Sequence, residues 1–131
     1  MTRNLLFVPL LLLLHLVLLV NTRFTLWPEM VVYPYLTNND FLLYRDIINP
    51  YQPAFIYILS LYAKFLGYQP APYQIFTWFI VLINDLVVFF IANKLFDKRH
   101  ALISITVFIL LSVPFGINGL WFDLVQTPLI L

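Results

Sequence analysis

Cysteine is absent from the 131 residues, which removes disulfides, thiolate metal sites and thiol nucleophiles and leaves the redox compartment open. Charge is almost as scarce. Only 10% of residues are Asp, Glu, Lys or Arg, against roughly 25% in a soluble domain. With 63% hydrophobic residues and a mean hydropathy of +0.93, polar surface is too small to cover a water-soluble globule, so the bilayer must be much of the solvent. The net charge is +1 and no basic stripe occurs, which excludes nucleic acid as a partner. Aromatics are plentiful, with 13 Phe, 8 Tyr and 3 Trp, and Tyr and Trp favour the headgroup level, where the ring is apolar and the tip stays wet.

Along the chain, the hydrophobic runs predict an all-α, polytopic helical membrane protein with three full transmembrane helices and the start of a fourth. The first span covers residues 5–22, "LLFVPLLLLLHLVLLV" with its polar tail. Its basic start resembles a signal peptide, but no small-residue cleavage site follows, so it reads as an uncleaved helix. The second covers 73–93, the third 101–117, and a fourth begins at 124 and stops inside an apolar run at 131. From that stop, residues 1–131 are expected to be the N-terminal portion of a larger domain. Between the first two spans lies a loop, residues 23–72, that holds six of the nine prolines and therefore no long unbroken helix. Two short helices are expected in it: Asn38–Ile48, with Asn38 or Asn39 as N-cap, and Ala54–Leu66, ended by Gly67 at C′. The latter is too short to span and is expected to lie in the interface, anchored by Tyr57, Tyr62 and Lys64.

Lys and Arg gather in "KLFDKRH", Lys94–His100, and Arg3 precedes the first span. Short basic loops stay in the cytoplasm, and two spans between these points keep both on that side. The N-terminus is then cytoplasmic and the 23–72 loop extracytoplasmic, in the inner membrane of a bacterium or archaeon. This puts Glu29, Asp46 and Asp123 on the outer face. An acid held among apolar side chains at a membrane surface has its charged form disfavoured, which suits a general base; equally, such acids serve as solvated loop charges. Inside the spans, His15 and Asp85 lie at similar depth, about 12–15 Å from the cytoplasmic ends. Ionisable groups there are costly, and the expectation is that the two hydrogen-bond to each other as a structural lock.

The order of features resembles a known family. An acid (Glu29) follows the first helix, then "YRD" (Tyr44, Arg45, Asp46), the Pro-x-x-Pro element "NPYQP", a helix ending "KFLG", a second span and a basic turn. This is similar to the N-terminal part of GT-C glycosyltransferases that use polyprenyl-phosphate sugars, among them bacterial relatives of protein O-mannosyltransferases and lipid A aminoarabinose transferases. The resemblance implies inverting transfer of a sugar from a polyprenyl-phosphate donor to a glycan, lipid or protein acceptor. By the same resemblance the base is Glu29 or Asp46, and Tyr44, Arg45, Lys64 and Asp123 contact substrate. The leaving phosphate would be met by Arg45, Lys64 or a divalent metal, the one cofactor such a mechanism admits. The paired acids of the family are a lone Glu29 here, and its Pro-Pro is split between Pro50 and Pro53. The readings from other classes are a non-enzymatic transporter or flippase subunit and a small structural membrane protein.

Overall fold

The computed structural model describes residues 7–48, 53–121 and 123–125. Arg3, the first two residues of the first expected span, Pro50 and the fourth span beyond Val125 lie outside the described residues. The elements run α1 (Phe7–Asn21), β1 (Thr25–Leu26), α2 (Glu29–Asn38), α3 (Pro53–Leu66), α4 (Pro70–Leu95), α5 (Lys98–Ser112) and β2 (Gly119–Leu120).

Helix α4 has 26 residues, about 39 Å of axis, and exceeds the bilayer core of about 30 Å. It starts earlier than the sequence pattern predicts because Pro70 and Pro72 fall in its first turn, where a proline removes only N–H groups that would lack partners anyway. Gln69 precedes them in extended conformation. Helix α5 begins at an N-cap: the Asp97 carboxylate accepts from the His100 N–H at 2.9 Å. Pro114 and Gly116 end the following turn. Gly116 has φ +61, and the Ile117 N–H reaches back to the Ser112 carbonyl at 3.0 Å.

The expectation of three full transmembrane helices is corrected. Among the described residues, α4 alone is long and apolar enough to cross a membrane. Helix α5, in place of the 101–117 span, has 15 residues, about 22 Å, because its last expected turn is diverted by Pro114 and Gly116. The described part of the first span is also 15 residues long. Nor is the described chain purely helical, since β1 pairs with β2 in parallel, Thr25 opposite Gly119 and Leu26 opposite Leu120. A Cβ at position 119 would stand 3.2 Å from the Thr25 carbonyl oxygen, so this close approach favours glycine.

The helix expected over Asn38–Ile48 is also corrected. The helix lies upstream, Glu29–Asn38, with Pro34 inside it. It ends in a Schellman motif: Asp40 adopts φ +66 and the Phe41 N–H donates to the Leu36 carbonyl at 3.2 Å. Residues 42–47 then form a tight turn with a single bridge between Leu43 and Ile47. By contrast, α3 closes at Gly67 with φ +84, its N–H donating to the Ala63 carbonyl at 2.8 Å.

Three packed regions result, the smallest built on Leu19, Val81 and Leu124. Helices α2 and α3, the 42–47 turn and the start of α4 share a cap built on Met30, Leu43, Ile47, Phe55, Ile56, Leu59 and Tyr73, with Leu120 beneath. Helices α1, α4 and α5 form a bundle around Val8, Phe89, Ala92, Ala101, Ile105 and Ile109. Nothing crowds Gly67, so Gly67→Ala isolates the backbone term. Unfolding in detergent should show a loss of about 1–2 kcal/mol for alanine in this left-handed position, and a smaller loss for Gly67→Asn.

Candidate functional site

The cap is joined to the bundle at Asn118. Its side-chain amide donates to the Leu19 carbonyl (2.9 Å), the Thr22 carbonyl (3.1 Å) and Thr22 Oγ1 (3.0 Å). Its Oδ1 accepts from the Trp78 indole N–H of α4 at 3.1 Å, and its own carbonyl accepts from the Thr25 N–H at 3.0 Å. One buried residue thus fixes the end of α1, the start of β1 and the flank of α4. Two residues beyond β1, Pro28 opens α2 and Glu29 occupies its first turn, where the helix dipole favours a carboxylate. Glu29 is half-buried, and its Oε2 is fully enclosed with no hydrogen-bond partner among the described residues.

Asp46 is placed quite differently. Its Oδ1 accepts from Arg45 Nε at 2.9 Å and its Oδ2 from Arg45 Nη2 at 2.8 Å. Oδ2 also accepts the Leu42 N–H at 2.9 Å. The Arg45 hydrogen bonds first, and the Leu42 N–H second, hold the carboxyl below the usual carboxylate range. A general base works best with a pKa near the operating pH, so this arrangement opposes that role. Arg45 is correspondingly engaged by Asp46. Tyr44 stands beside them at φ +69 with its side chain exposed.

Lys64 is exposed near the end of α3, and Asp123 is exposed at the start of a helical stretch, residues 123–125. Glu29, Asp46 and Lys64 are each the chain neighbour of a residue in the cap core, namely Met30, Ile47 and Ala63; Val125 of the same core is two residues from Asp123. No hydrogen bond or ion pair among the described residues joins Glu29, Asp46 and Lys64 to one another. Among the described residues no three His, Asp or Glu side chains converge on a point that would hold a metal. The donor set does not fit a divalent ion, and no chemical step is assigned to one.

His15 and Asp85, expected to pair, do come together. His15 Nδ1 and Asp85 Oδ2 are 2.7 Å apart, both at 0% exposure, with Phe108 of α5 edge-on to the imidazole at 6.5 Å between ring centres. This links α1, α4 and α5. Beside it, Asn84 donates to the Leu124 carbonyl at 3.1 Å. It also lines a cleft of about 280 Å³ with Phe108, Ser112, Trp121 and Asp123.

Asn118, Trp78 and Asn84 are not singled out as site residues by the sequence pattern. The signal for two of them is a polar side chain flanked by apolar ones, "FGINGLW" for Asn118 and "LINDL" for Asn84, where a buried amide must find partners.

Two measurements follow from this geometry. A depressed folded-state pKa means that Asp46 contributes to turn stability above its ordinary value, and that the contribution is lost as pH falls through the folded value. Titrated by the ¹³C shift of its carboxyl carbon, Asp46 should have a midpoint below the ordinary value of about 3.9, and Arg45→Ala should move it upward. For the buried pair, His15→Leu leaves an unpartnered carboxyl and should cost about 3 kcal/mol in detergent unfolding. Hydrogen bonds between membrane helices average only about 0.6 kcal/mol, but here Asp85 Oδ1 already lacks a partner, so the larger figure applies. The double change His15→Leu with Asp85→Leu should restore most of that loss.

No family model matches the chain, and no curated protein or solved structure matches it.

Proposed function

We propose that this chain is part of a membrane glycosyltransferase of the polyprenyl-phosphate-sugar type, with Glu29 as the general base. The observation that carries the proposal is the Glu29 carboxylate, half-buried at the start of α2 with one oxygen enclosed and unpartnered. Buried carboxylate oxygens normally find donors, and an acceptor hydroxyl or amine would supply one. Asp46, held by Arg45 and the Leu42 N–H, is the weaker candidate for the same role.

In the proposed displacement, an acceptor O–H or N–H hydrogen-bonds to Glu29. As its lone pair forms a bond to the anomeric carbon, the proton passes to the carboxylate. The bond from that carbon to the phosphate oxygen breaks with inversion, and its electron pair leaves on the polyprenyl phosphate. With Arg45 engaged by Asp46, Lys64 is the cap's cation for the leaving phosphate.

The end of α4 at Lys94, followed by Lys98 and Arg99, is the proposed cytoplasmic side. The Pro70 end, with residues 23–72, is then outside, in the inner membrane of a bacterium or archaeon. A lipid-linked donor could keep its chain in the bilayer while its sugar reached the cap. A transporter subunit would instead need ionisable groups along a path, and the two intramembrane ones are paired and fully buried.

On the full-length protein in vesicles carrying a polyprenyl-phosphate sugar, Glu29→Gln should lower turnover by at least about 10²-fold, the size of a lost general base. Asp46→Asn should retain most of it. The reverse ranking would assign the base to Asp46, and loss in neither variant would sink the catalytic reading.

A further inference from the structure

The opposite end of α4 carries a feature that sugar transfer does not use. Lys94 and Arg99 are exposed and Lys98 is half-buried. Among the described residues none of the three makes an ion pair: the one carboxylate in this turn, Asp97, caps α5 and sits 3.0 Å from His100. Leu95 and Phe96 are 68% and 70% exposed, so apolar and cationic surface are interleaved. Beneath Arg99 a groove runs down α5 between Leu102, Ile103 and Thr106. These positions fall on one helical face, three, four and seven residues on, so the groove extends about 10 Å along the axis.

We infer that this turn and groove bind one anionic phospholipid. The headgroup phosphate lies among Lys94, Lys98 and Arg99, and an acyl chain lies along Leu102, Ile103 and Thr106. The dimensions fit the chemistry. Helix α4 outlasts the hydrocarbon core by several ångströms, so its Lys94 end reaches headgroup depth. Helix α5 turns back after two residues, Phe96 and Asp97, and its groove runs from that depth into the chain region. Guanidinium donors match phosphate oxygens in pairs, and each Lys or Arg near an anionic surface adds attraction. A soluble anion would use the cations alone; a lipid also uses the groove and the exposed Leu95 and Phe96. The inference does not depend on the catalytic reading, since it needs only that α4 crosses the bilayer.

These 131 residues have no cysteine, so in a full-length protein whose remaining cysteines are changed to serine a single Val107→Cys places a fluorophore beside the groove without other labelling. The full-length protein is reconstituted in phosphatidylcholine vesicles containing brominated phosphatidylglycerol or brominated phosphatidylcholine, and quenching gives the local preference for each. Phosphatidylglycerol should be preferred at this position, while a label at Ile75→Cys, toward the other end of α4, should report no preference. Arg99→Gln should lower the preference about fivefold, and neutralising Lys94, Lys98 and Arg99 together should abolish it. Arg99→Lys should keep part of it, which separates charge loss from misfolding, and Arg23→Gln should change nothing. Equal quenching by both lipids, or an unchanged preference in the triple variant, would overturn the inference. An equal loss in Arg23→Gln would reduce it to net charge, and displacement by millimolar inorganic phosphate would reassign the site to a free anion.

Discussion

The amide of Asn118 is the constraint on which the arrangement of the molecule depends. It is 4% exposed and its partners are separated from it by much of the chain: Leu19 and Thr22 at the end of α1, Thr25 at the start of β1, and Trp78 on α4. The carbonyls at the end of a helix have no intrahelical donors; the Leu19 carbonyl also accepts from the Thr22 N–H and hydroxyl, while an unsatisfied Thr22 carbonyl in an apolar surrounding would cost about 1–3 kcal/mol. Asn118 supplies those donors and accepts the indole N–H in return. Gly116 and Ile117 set its position by closing the turn after α5, and Gly119 lets β2 approach β1. Once β1 is pinned, the chain has only Trp27 and Pro28 before α2 begins, so the site of Glu29 follows from the knot below it.

Scarce charge makes the placement of each ionisable group informative. Three acids are satisfied locally or in pairs: Asp46 by Arg45 and its own loop, Asp97 by the first turn of α5, and Asp85 by His15. Each of these holds a turn, a helix end or a helix contact, and none needs a ligand. Asp85 and Glu29 each keep one enclosed oxygen without a donor among the described residues; Glu29 differs in that its carboxylate makes no ion pair or cap contact such as those that hold the other three. That contrast among the carboxylates, and not the resemblance to a family, is the ground on which Glu29 is proposed as the base.

Parts of this arrangement are legible in the sequence for definite reasons. A long apolar run has few alternatives to a helix, so α4 is readable, and only its early start escapes, because proline is harmless in a first turn. Gly67 is readable because few residues other than glycine end a helix in the left-handed region. Simple helix rise puts His15 and Asp85 at one level, and two ionisable groups at one depth in an apolar bundle have each other as the natural partner. Helix α2 is not readable, because Pro34 argues for a break, and in ten residues the helix tolerates the single lost hydrogen bond. Hydropathy overstates the length of α5, since it does not register how Pro114 and Gly116 divert the chain. Asn118 stands out in the sequence only as a polar residue among apolar ones; its side-chain partners are 40 to 99 residues away, and no periodicity encodes them.

Buried polar atoms without partners among the described residues occur at two levels of the molecule. His15 Nε2, Asp85 Oδ1 and Asn84 Oδ1 lie in the bundle, while Glu29 Oε2 and the Tyr73 hydroxyl lie in the cap. In the bundle each orphan belongs to a side chain whose other polar atom is engaged across helices, so one unsatisfied atom is the cost of a contact that orients α1 and the 123–125 stretch on α4. In the cap no such contact offsets it: neither Glu29 nor Tyr73 uses its side chain to join one element to another through a hydrogen bond. An acceptor oxygen beside Met30 of the cap core and a hydroxyl inside it are left in this way, and it is there that the proposed transfer would find polar groups not already committed. Stability alone would favour Gln or Leu at position 29 and Phe at position 73, and the polar atoms kept there are the reason to look for the chemistry of this chain in the cap above α4.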